Sequence, residues 1–188
     1  MFQAYALLNA ESVGENKFSG LTDICVDTNG NVYILDGGGS AIYILDSDYR
    51  LKYSLKGVKS GNEILNFTGA KGIFVSENGE MYISDTDNGR VLKTDLNGVL
   101  LKEFTVPDSA LIPEGFEFRP MKTAVDKREY VYILCDGSYY GAILYSPEDE
   151  FLGFYGSNTT GGGILQAFEI IFNKLFMTNS KLSKTESK

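Results

Sequence analysis

The strongest constraint on this chain is a pattern that it repeats. Segment 23–36 reads DICVDTNGNVYILD, segment 72–85 reads GIFVSENGEMYISD, and a less regular third copy, KTAVDKREYVYILCD, covers 122–136. The first two copies start at residues 23 and 72, which are 49 positions apart, and the third follows at an offset of 50. Copies at a nearly constant spacing predict a repeat protein, whose units bury a core by stacking on one another.

Each copy predicts four short antiparallel strands. Asn-Gly turns at 29–30 and 78–79 separate apolar runs, which is the strongest short-range signal of a β-hairpin. After the opening strand, the runs that predict strands are 32–35, 41–45, 51–55, 81–84, 90–94, 99–104, 131–134, 142–145 and 151–154. Four strands in about 50 residues are typical of one β-propeller blade, so the predicted fold class is all-β.

The repeat divides the chain into three predicted blades with a flanking segment at each end. The predicted domains are an N-terminal strand in 1–18, blade 1 at 19–57, blade 2 at 58–105, blade 3 at 106–156, and a Gly linker, apolar helix and polar tail at 157–188. Residues 4–13 would supply either the outer strand that closes a propeller ring or a short flanking strand.

The second and third copies also carry a family resemblance. Segment 85–91, DTDNGRV, resembles the signature of NHL repeats, in which an Asp closes the second strand and an Asn and an Arg follow. Segment 120–126, PMKTAVD, resembles the opening strand of that family, and the likeness covers about 21–156.

Similar proteins usually form six-bladed propellers. The resemblance therefore implies that the three blades are half of a ring, which a second copy in a homodimer or a missing C-terminal half would complete, unless the arc is open. It also implies a bacterial protein that works outside the cytoplasm or beside a membrane.

Segment 164–177, ILQAFEIIFNKLFM, predicts an amphipathic helix. Its apolar residues at 164, 168, 171, 172 and 175 have helical spacing. Fourteen residues are too few to span a bilayer, no apolar run in the chain reaches 18, and no signal peptide is visible. The helix would pack on the propeller, contact a partner or lie on a membrane surface.

Composition excludes several classes of function. The 17 Lys and Arg against 25 Asp and Glu give a net charge of −8, which argues against a nucleic-acid partner. The chain has no His, so no Ser-His or Cys-His pair can form. Cys25 and Cys135 are predicted to be buried free thiols. The Asp residues after strands, such as Asp27 and Asp85, are predicted to cap turns, so no catalytic residue, metal site or cofactor is expected.

Blade geometry selects the candidate binding residues. The loops between blades, 57–69 and 106–119, are expected to share one rim with the loops between the second and third strands, and long loops on a rigid scaffold often bind ligands. The candidates on or near this rim are Tyr139, Tyr140, Lys71, Arg119 and Lys122. The tyrosines would stack on a flat ligand or pack against a neighbouring blade. The cations would bind a carboxylate or simply be solvated.

Two functions of different class follow. The first is a non-catalytic binding or scaffolding module that recognises a protein, a peptide or a glycan through its rim loops. The second, implied by the architecture of similar lactonase-like propellers, is a hydrolase that holds calcium in the central channel and whose site is completed by missing sequence. That reading needs acidic channel residues, and Asp23 is the one that is well placed in this sequence.

Overall fold

The computed structural model describes residues 8–15, 17–138 and 140–156. Three antiparallel sheets of four strands follow one another along the chain, and we call them blades 1, 2 and 3. Blade 1 contains β1 (Leu21–Val26), β2 (Val32–Asp36), β3 (Ala41–Leu45) and β4 (Leu51–Leu55). A hairpin of β5 (Val58–Ser60) and β6 (Glu63–Leu65) follows. Blade 2 contains β7 (Gly72–Val75), β8 (Glu80–Asp85), β9 (Arg90–Asp95) and β10 (Leu100–Phe104). Blade 3 contains β11 (Pro120–Val125), β12 (Val131–Cys135), β13 (Ala142–Tyr145) and β14 (Phe151–Tyr155).

These sheets confirm the all-β class and the propeller blades that the repeat predicts. Strand order within each sheet follows the chain from the first strand to the fourth. The predicted helix at 164–177 and the Gly linker before it lie outside the described residues. Over the part of the chain that the structure describes, no helix is long and apolar enough to cross a bilayer.

The first strands of the three blades meet at the centre of the arc. One oxygen of Asp23 in β1 accepts a hydrogen bond from the Ile73 N–H of blade 2 at 2.9 Å. The other oxygen lies 2.6 Å from the ammonium of Lys122 in blade 3. A single carboxylate of blade 1 therefore contacts both other blades, and the first strands line the axis as blade geometry predicts.

The hydrophobic core lies between the blades. The cluster between blades 1 and 2 joins Tyr33, Leu35 and Ile44 to Ile73, Val75 and Ile83. The cluster between blades 2 and 3 joins Tyr82, Val91 and Phe104 to Ile133, Ile143 and Phe154. Alternation along each strand sends successive side chains to opposite faces of a sheet, so a middle blade contributes to both clusters.

Asp27 and Asp126 cap tight turns, whereas the same prediction for Asp85 is wrong, because its carboxylate accepts no backbone hydrogen bond from the turn that follows it. In the first turn of blade 1, Asp27 accepts hydrogen bonds from the N–H groups of Asn29 at 2.8 Å and Asn31 at 2.9 Å. Gly30 has φ 81°, a left-handed conformation that glycine adopts without a steric penalty. Asp126 does the same for the turn of blade 3.

Two buried aspartates fasten the loops that enter blades 1 and 2. Asp36 at the end of β2 accepts hydrogen bonds from the N–H groups of Ser19 at 2.8 Å and Gly20 at 2.7 Å. Asp85 at the end of β8 accepts one from the Thr68 N–H at 2.7 Å and pairs with Arg90 at 2.8 Å. Each carboxylate thus ties the end of the second strand to the segment that leads into the first strand.

The N-terminal segment differs from the predicted strand. Ala10–Val13 form a short 3-10 helix, whose N-cap is Asn9 and which ends at Gly14 with φ 75°. The Asn9 side chain accepts from the Ser12 N–H at 3.0 Å, which favours a helical turn over an extended chain. A ring-closing strand is therefore absent from residues 8–13, and residues 1–7 lie outside the described part.

The hairpin of β5 and β6 lies where the sequence predicts only a long loop between blades. Its strands have three residues each, which is too short for alternation to stand out in the sequence. The Lys59 N–H donates to the Gly98 carbonyl at 2.7 Å and so attaches the hairpin to blade 2.

We predict that Asp85→Ala strongly destabilises the fold. The substitution leaves the Thr68 N–H without its partner and removes the fully buried carboxylate from the Arg90 guanidinium, which keeps only Glu103 and the Asn66 carbonyl. Breaking such a pair typically costs about 3–5 kcal/mol. The control is Asp87→Ala, which removes the exposed pair with Arg119 and should cost less than about 1 kcal/mol. Urea unfolding measures the stability of both variants, and equal losses would show that the contact of Asp85 with Thr68 does not hold the loop in place.

Candidate functional site

A cavity of about 270 Å³ opens on the rim beside blade 3. It lies between the long loop that precedes β11 and the loop that joins β12 to β13. Its lining consists of Pro113, Glu114, Gly115, Phe116, Glu117, Asp136, Gly137, Ser138 and Tyr140. The rim that blade geometry predicts thus contains a concave site, and Tyr140 is the predicted binding residue that lines it.

Aromatic packing positions one wall of the cavity. The Phe116 ring lies 5.8 Å from the Phe154 ring, edge to face, and the Tyr140 ring lies 5.6 Å from the same ring. Phe154 is buried in β14. One core ring therefore holds two rim rings in place, which keeps the wall preformed.

A departure from the repeat shapes the opposite wall. Cys135 ends β12 and pairs with the start of β11 as Asp36 pairs with the start of β1. The thiol is buried, which raises its pKa to about 12 against the opposing effect of a hydrogen bond from the Arg119 backbone. The aspartate that ends the second strand in blades 1 and 2 comes one residue later in blade 3, as Asp136. It is exposed and lines the cavity.

The cavity is negatively charged. Glu114, Glu117 and Asp136 line it, and none of the described residues that line it is a Lys or an Arg. Within the described part of the chain, these three side chains form no hydrogen bond and no ion pair. Carboxylates that have no partner of their own and share one concave surface favour a positively charged ligand. Sequence reasoning missed both glutamates, although their position in the long loop was a usable signal.

The predicted cations are mostly engaged elsewhere. Arg119 lies 3.0 Å from Asp87 of blade 2, and Lys122 lies 2.6 Å from Asp23 of blade 1. Lys71 is exposed just before β7. The structure therefore does not gather the three cations into one patch beside Tyr140: Arg119 links blade 3 to blade 2, and Lys122 links blade 3 to blade 1. Tyr139 lies outside the described residues.

A second cavity of about 490 Å³ lies at the opposite end of the first strands. Val26, Phe74 and Val125 are among its lining residues, together with the turn aspartates Asp27 and Asp126. Burial raises the pKa of each aspartate, but hydrogen bonds from its own turn outweigh that effect and lower it. These carboxylates hold turns, so we assign no site here.

The thiols are free, as predicted, but they differ in burial. Cys135 is buried, whereas Cys25 is only partly so. Burial raises the pKa of Cys25 as well. A raised pKa leaves little thiolate, which is the nucleophilic form, so neither cysteine is prepared for covalent chemistry.

Asp23 is bound on both oxygens, by Lys122 and by the Ile73 N–H. Within residues 8–15, 17–138 and 140–156, no three Asp, Glu, Cys or His side chains form a group that could hold a metal ion. The channel position that a calcium-dependent hydrolase would need is thus occupied by contacts between blades.

Comparison with known proteins supports the fold alone. No family model matches the chain, and no curated protein matches it significantly. Among solved structures, hydrazine synthase from Kuenenia stuttgartiensis aligns with a TM-score of 0.55 and 11% identity over 84% of this chain and 40% of that one. A protein of unknown function from Bacteroides caccae aligns with a TM-score of 0.52 and 15% identity over 80% of this chain and 54% of that one.

A catalytically inactive virginiamycin B lyase from Staphylococcus aureus, solved with quinupristin, aligns with a TM-score of 0.51 and 13% identity over 72% of this chain and 41% of that one. The synthase and the lyase are β-propeller proteins. This chain spans about half or less of the three structures that it resembles. It has the fold of a β-propeller segment.

We predict that calcium leaves the thermal stability unchanged. Ligands that bind the native state raise the melting temperature with concentration, and both oxygens of Asp23 already have protein partners. Millimolar calcium should therefore shift the midpoint by less than about 1 °C relative to a chelator. Differential scanning calorimetry measures this midpoint. A melting temperature that rises with calcium concentration would support the hypothesis of a calcium-dependent hydrolase.

Proposed function

We propose that this chain is a non-catalytic binding module, half of an NHL-type six-bladed propeller, whose rim cavity holds a lysine or arginine side chain of a protein or peptide partner. The observation that carries the proposal is the joint lining of one cavity by two aromatic rings and by three carboxylates that have no partner among the described residues. Concave sites with convergent polar groups are the usual places of ligand recognition.

The size of the cavity suits one side chain. Its volume of about 270 Å³ lies just below the range of whole small-molecule pockets, which starts at about 300 Å³. A protruding residue of an extended peptide fits this volume better than a whole cofactor does.

The chemistry of the lining suits a cation. Carboxylates form charge-assisted hydrogen bonds with ammonium and guanidinium groups, and a cation over an aromatic face gains further attraction. The chain uses the same contact internally, since the Lys93 ammonium lies 5.7 Å from the ring centroid of Tyr82 and that of Lys56 lies 5.2 Å from Tyr43. A glycan could stack on the ring of Tyr140 and donate hydroxyl hydrogen bonds to the carboxylates, but it would not gain the attraction between opposite charges that a cation gains.

Charge variants test the sign of the ligand. The probes are capped Gly-Ser hexapeptides with a central Arg, Lys, Gln or Glu, and calorimetry measures their binding to the full chain. We predict that the Arg and Lys peptides bind more tightly than the Gln and Glu peptides. Added salt should weaken the binding of the Arg and Lys peptides. Combined Glu117→Gln and Asp136→Asn should reduce this binding about tenfold or more.

The matched control is Glu63→Gln in the hairpin of β5 and β6, an exposed carboxylate outside the cavity, which should leave binding unchanged. Equal binding of all four peptides, or equal loss in the control, would overturn the proposal. Preference for a glycan over every peptide would assign the rim to sugar recognition instead.

We predict that Tyr140→Ala weakens binding of the Arg peptide more than it lowers stability. Tyr140 is only partly buried, against Phe154, so its removal costs little core packing. The control is Tyr82→Ala, which removes a ring that is 1% exposed between blades 2 and 3 and should cost about 3–5 kcal/mol. A Tyr140→Ala protein with unchanged affinity would show that its ring only packs.

A further inference from the structure

One face of blade 3 has no cover among the described residues. Ile133 and Cys135 of β12 pack toward blade 2, so alternation places Tyr132 and Leu134 on the other side. The ring of Tyr132 lies 5.3 Å from the ring of Tyr155 in β14, which is also exposed. We call the surface formed by Tyr132, Leu134 and Tyr155 the distal face.

The same repeat position is buried in the other two blades. Leu35 packs in the cluster between blades 1 and 2, and the Ser84 hydroxyl lies 3.1 Å from that of Thr123 in blade 3. Leu35 and Ser84 are 0% exposed, whereas Leu134 at the corresponding position is 47% exposed. The face that a blade turns toward its successor is therefore covered in blades 1 and 2 and exposed in blade 3.

A strip of blade 1 is exposed at the other end of the arc. Cys25 packs toward blade 2, so alternation turns Ile24 and Val26 away from it. Ile73 and Val75 of β7 are 5% and 7% exposed because they pack against blade 1. Ile24 and Val26, which precede them by 49 residues, are 61% and 58% exposed. We call Ile24 and Val26 the entry strip. The N-terminal turn packs on β2 and β3 on this side of blade 1 and leaves the entry strip exposed.

The segment that leads into blade 1 is arranged like the segment that leads into blade 2, which another blade precedes. Phe18 and Phe67 are 49 residues apart, and Asp36 and Asp85 hold the two segments by the same kind of hydrogen bond. Phe67 is buried between blades 1 and 2, whereas Phe18 packs on Tyr43 of blade 1 and is only partly buried. The entrance of blade 1 therefore has the form of one that follows another blade.

We propose that a second copy of this chain closes the ring, with the distal face of each copy on the entry strip of the other. Within one chain, the exit face of a blade fits the entrance of the next blade twice, and the described chain exposes one more surface of each kind. Tyr132 and Leu134 of one copy take the positions that Tyr33 and Leu35 have against blade 2. The inference rests on the half ring of the proposed function, because two copies close a ring only when each supplies half of it.

The area of the contact is sufficient for a dimer. Four strands at about 4.8 Å and five residues at about 3.4 Å give a blade face of about 300 Å². Both copies contribute such a face, and a closed ring contains the contact twice, so the dimer buries about 1,200 Å², which a specific interface requires. Leucine, isoleucine, valine and tyrosine side chains make the centre of each contact apolar, as in other homodimers.

Sedimentation velocity of the full chain between about 1 and 100 μM tests the ring, and we expect a dimer. Ile24→Asp and Leu134→Lys place a charge in both contacts at once, so each alone should weaken dimerisation at least about 100-fold. The double variant puts an Asp beside a Lys in each contact and should regain most of the lost affinity. Such a rescue separates docking from local damage, because two damaging substitutions would add.

The control is Leu101→Asp, which places a charge at an equally exposed leucine of blade 2, away from both surfaces, and should leave the dimer intact. A monomer over the whole range would overturn the second copy. So would a dimer that Leu134→Lys weakens and Ile24→Asp does not, or open assemblies that grow beyond two copies. Binding of the Arg peptide is measured on the same samples: a monomer that binds it refutes only the second copy, and a dimer that does not bind it refutes only the rim site.

Discussion

A propeller blade has two apolar faces, and the structure depends on covering both of them. Blade 2 is covered by a neighbour on each side, and the two resulting clusters contain most of the buried apolar residues. Blade 1 has one neighbour and uses Val13 and Phe18 on its other side. Because burial of apolar area is the main favourable contribution to folding, the stacking of the blades and the packing of the N-terminal turn on blade 1 serve the same purpose.

Buried polar contacts decide how the blades are positioned within that packing. Asp36 and Asp85 hold the loops that enter their own blades, and Asp23 joins blade 1 to blades 2 and 3. Such contacts are directional, so they set the relative placement of strands that hydrophobic burial alone would leave adjustable. The aspartates that recur in the sequence are structural for this reason.

The candidate site arises where the repeat is broken. Cys135 takes the buried position that Asp36 and Asp85 have at the end of the second strand. Asp136 therefore lies on the rim, beside the long loop that carries Glu114 and Glu117. A carboxylate that would hold a loop in blades 1 and 2 thereby becomes available to a ligand in blade 3. Irregular repeats are thus a place to look for function in repeat proteins, since the regular ones are explained by their own packing.

The sequence by itself determined the blades, because strand alternation, turn glycines and capping aspartates are local: Asp27 caps a turn formed by its next four residues. It did not predict the turn at Ala10–Val13 or the hairpin at Val58–Leu65, whose patterns are too short to be distinctive. Only the tertiary structure decided that Lys122 and Arg119 pair with carboxylates of other blades and that Glu114, Glu117 and Asp136 share one cavity. Those contacts join residues far apart in the chain, and no local spacing encodes them.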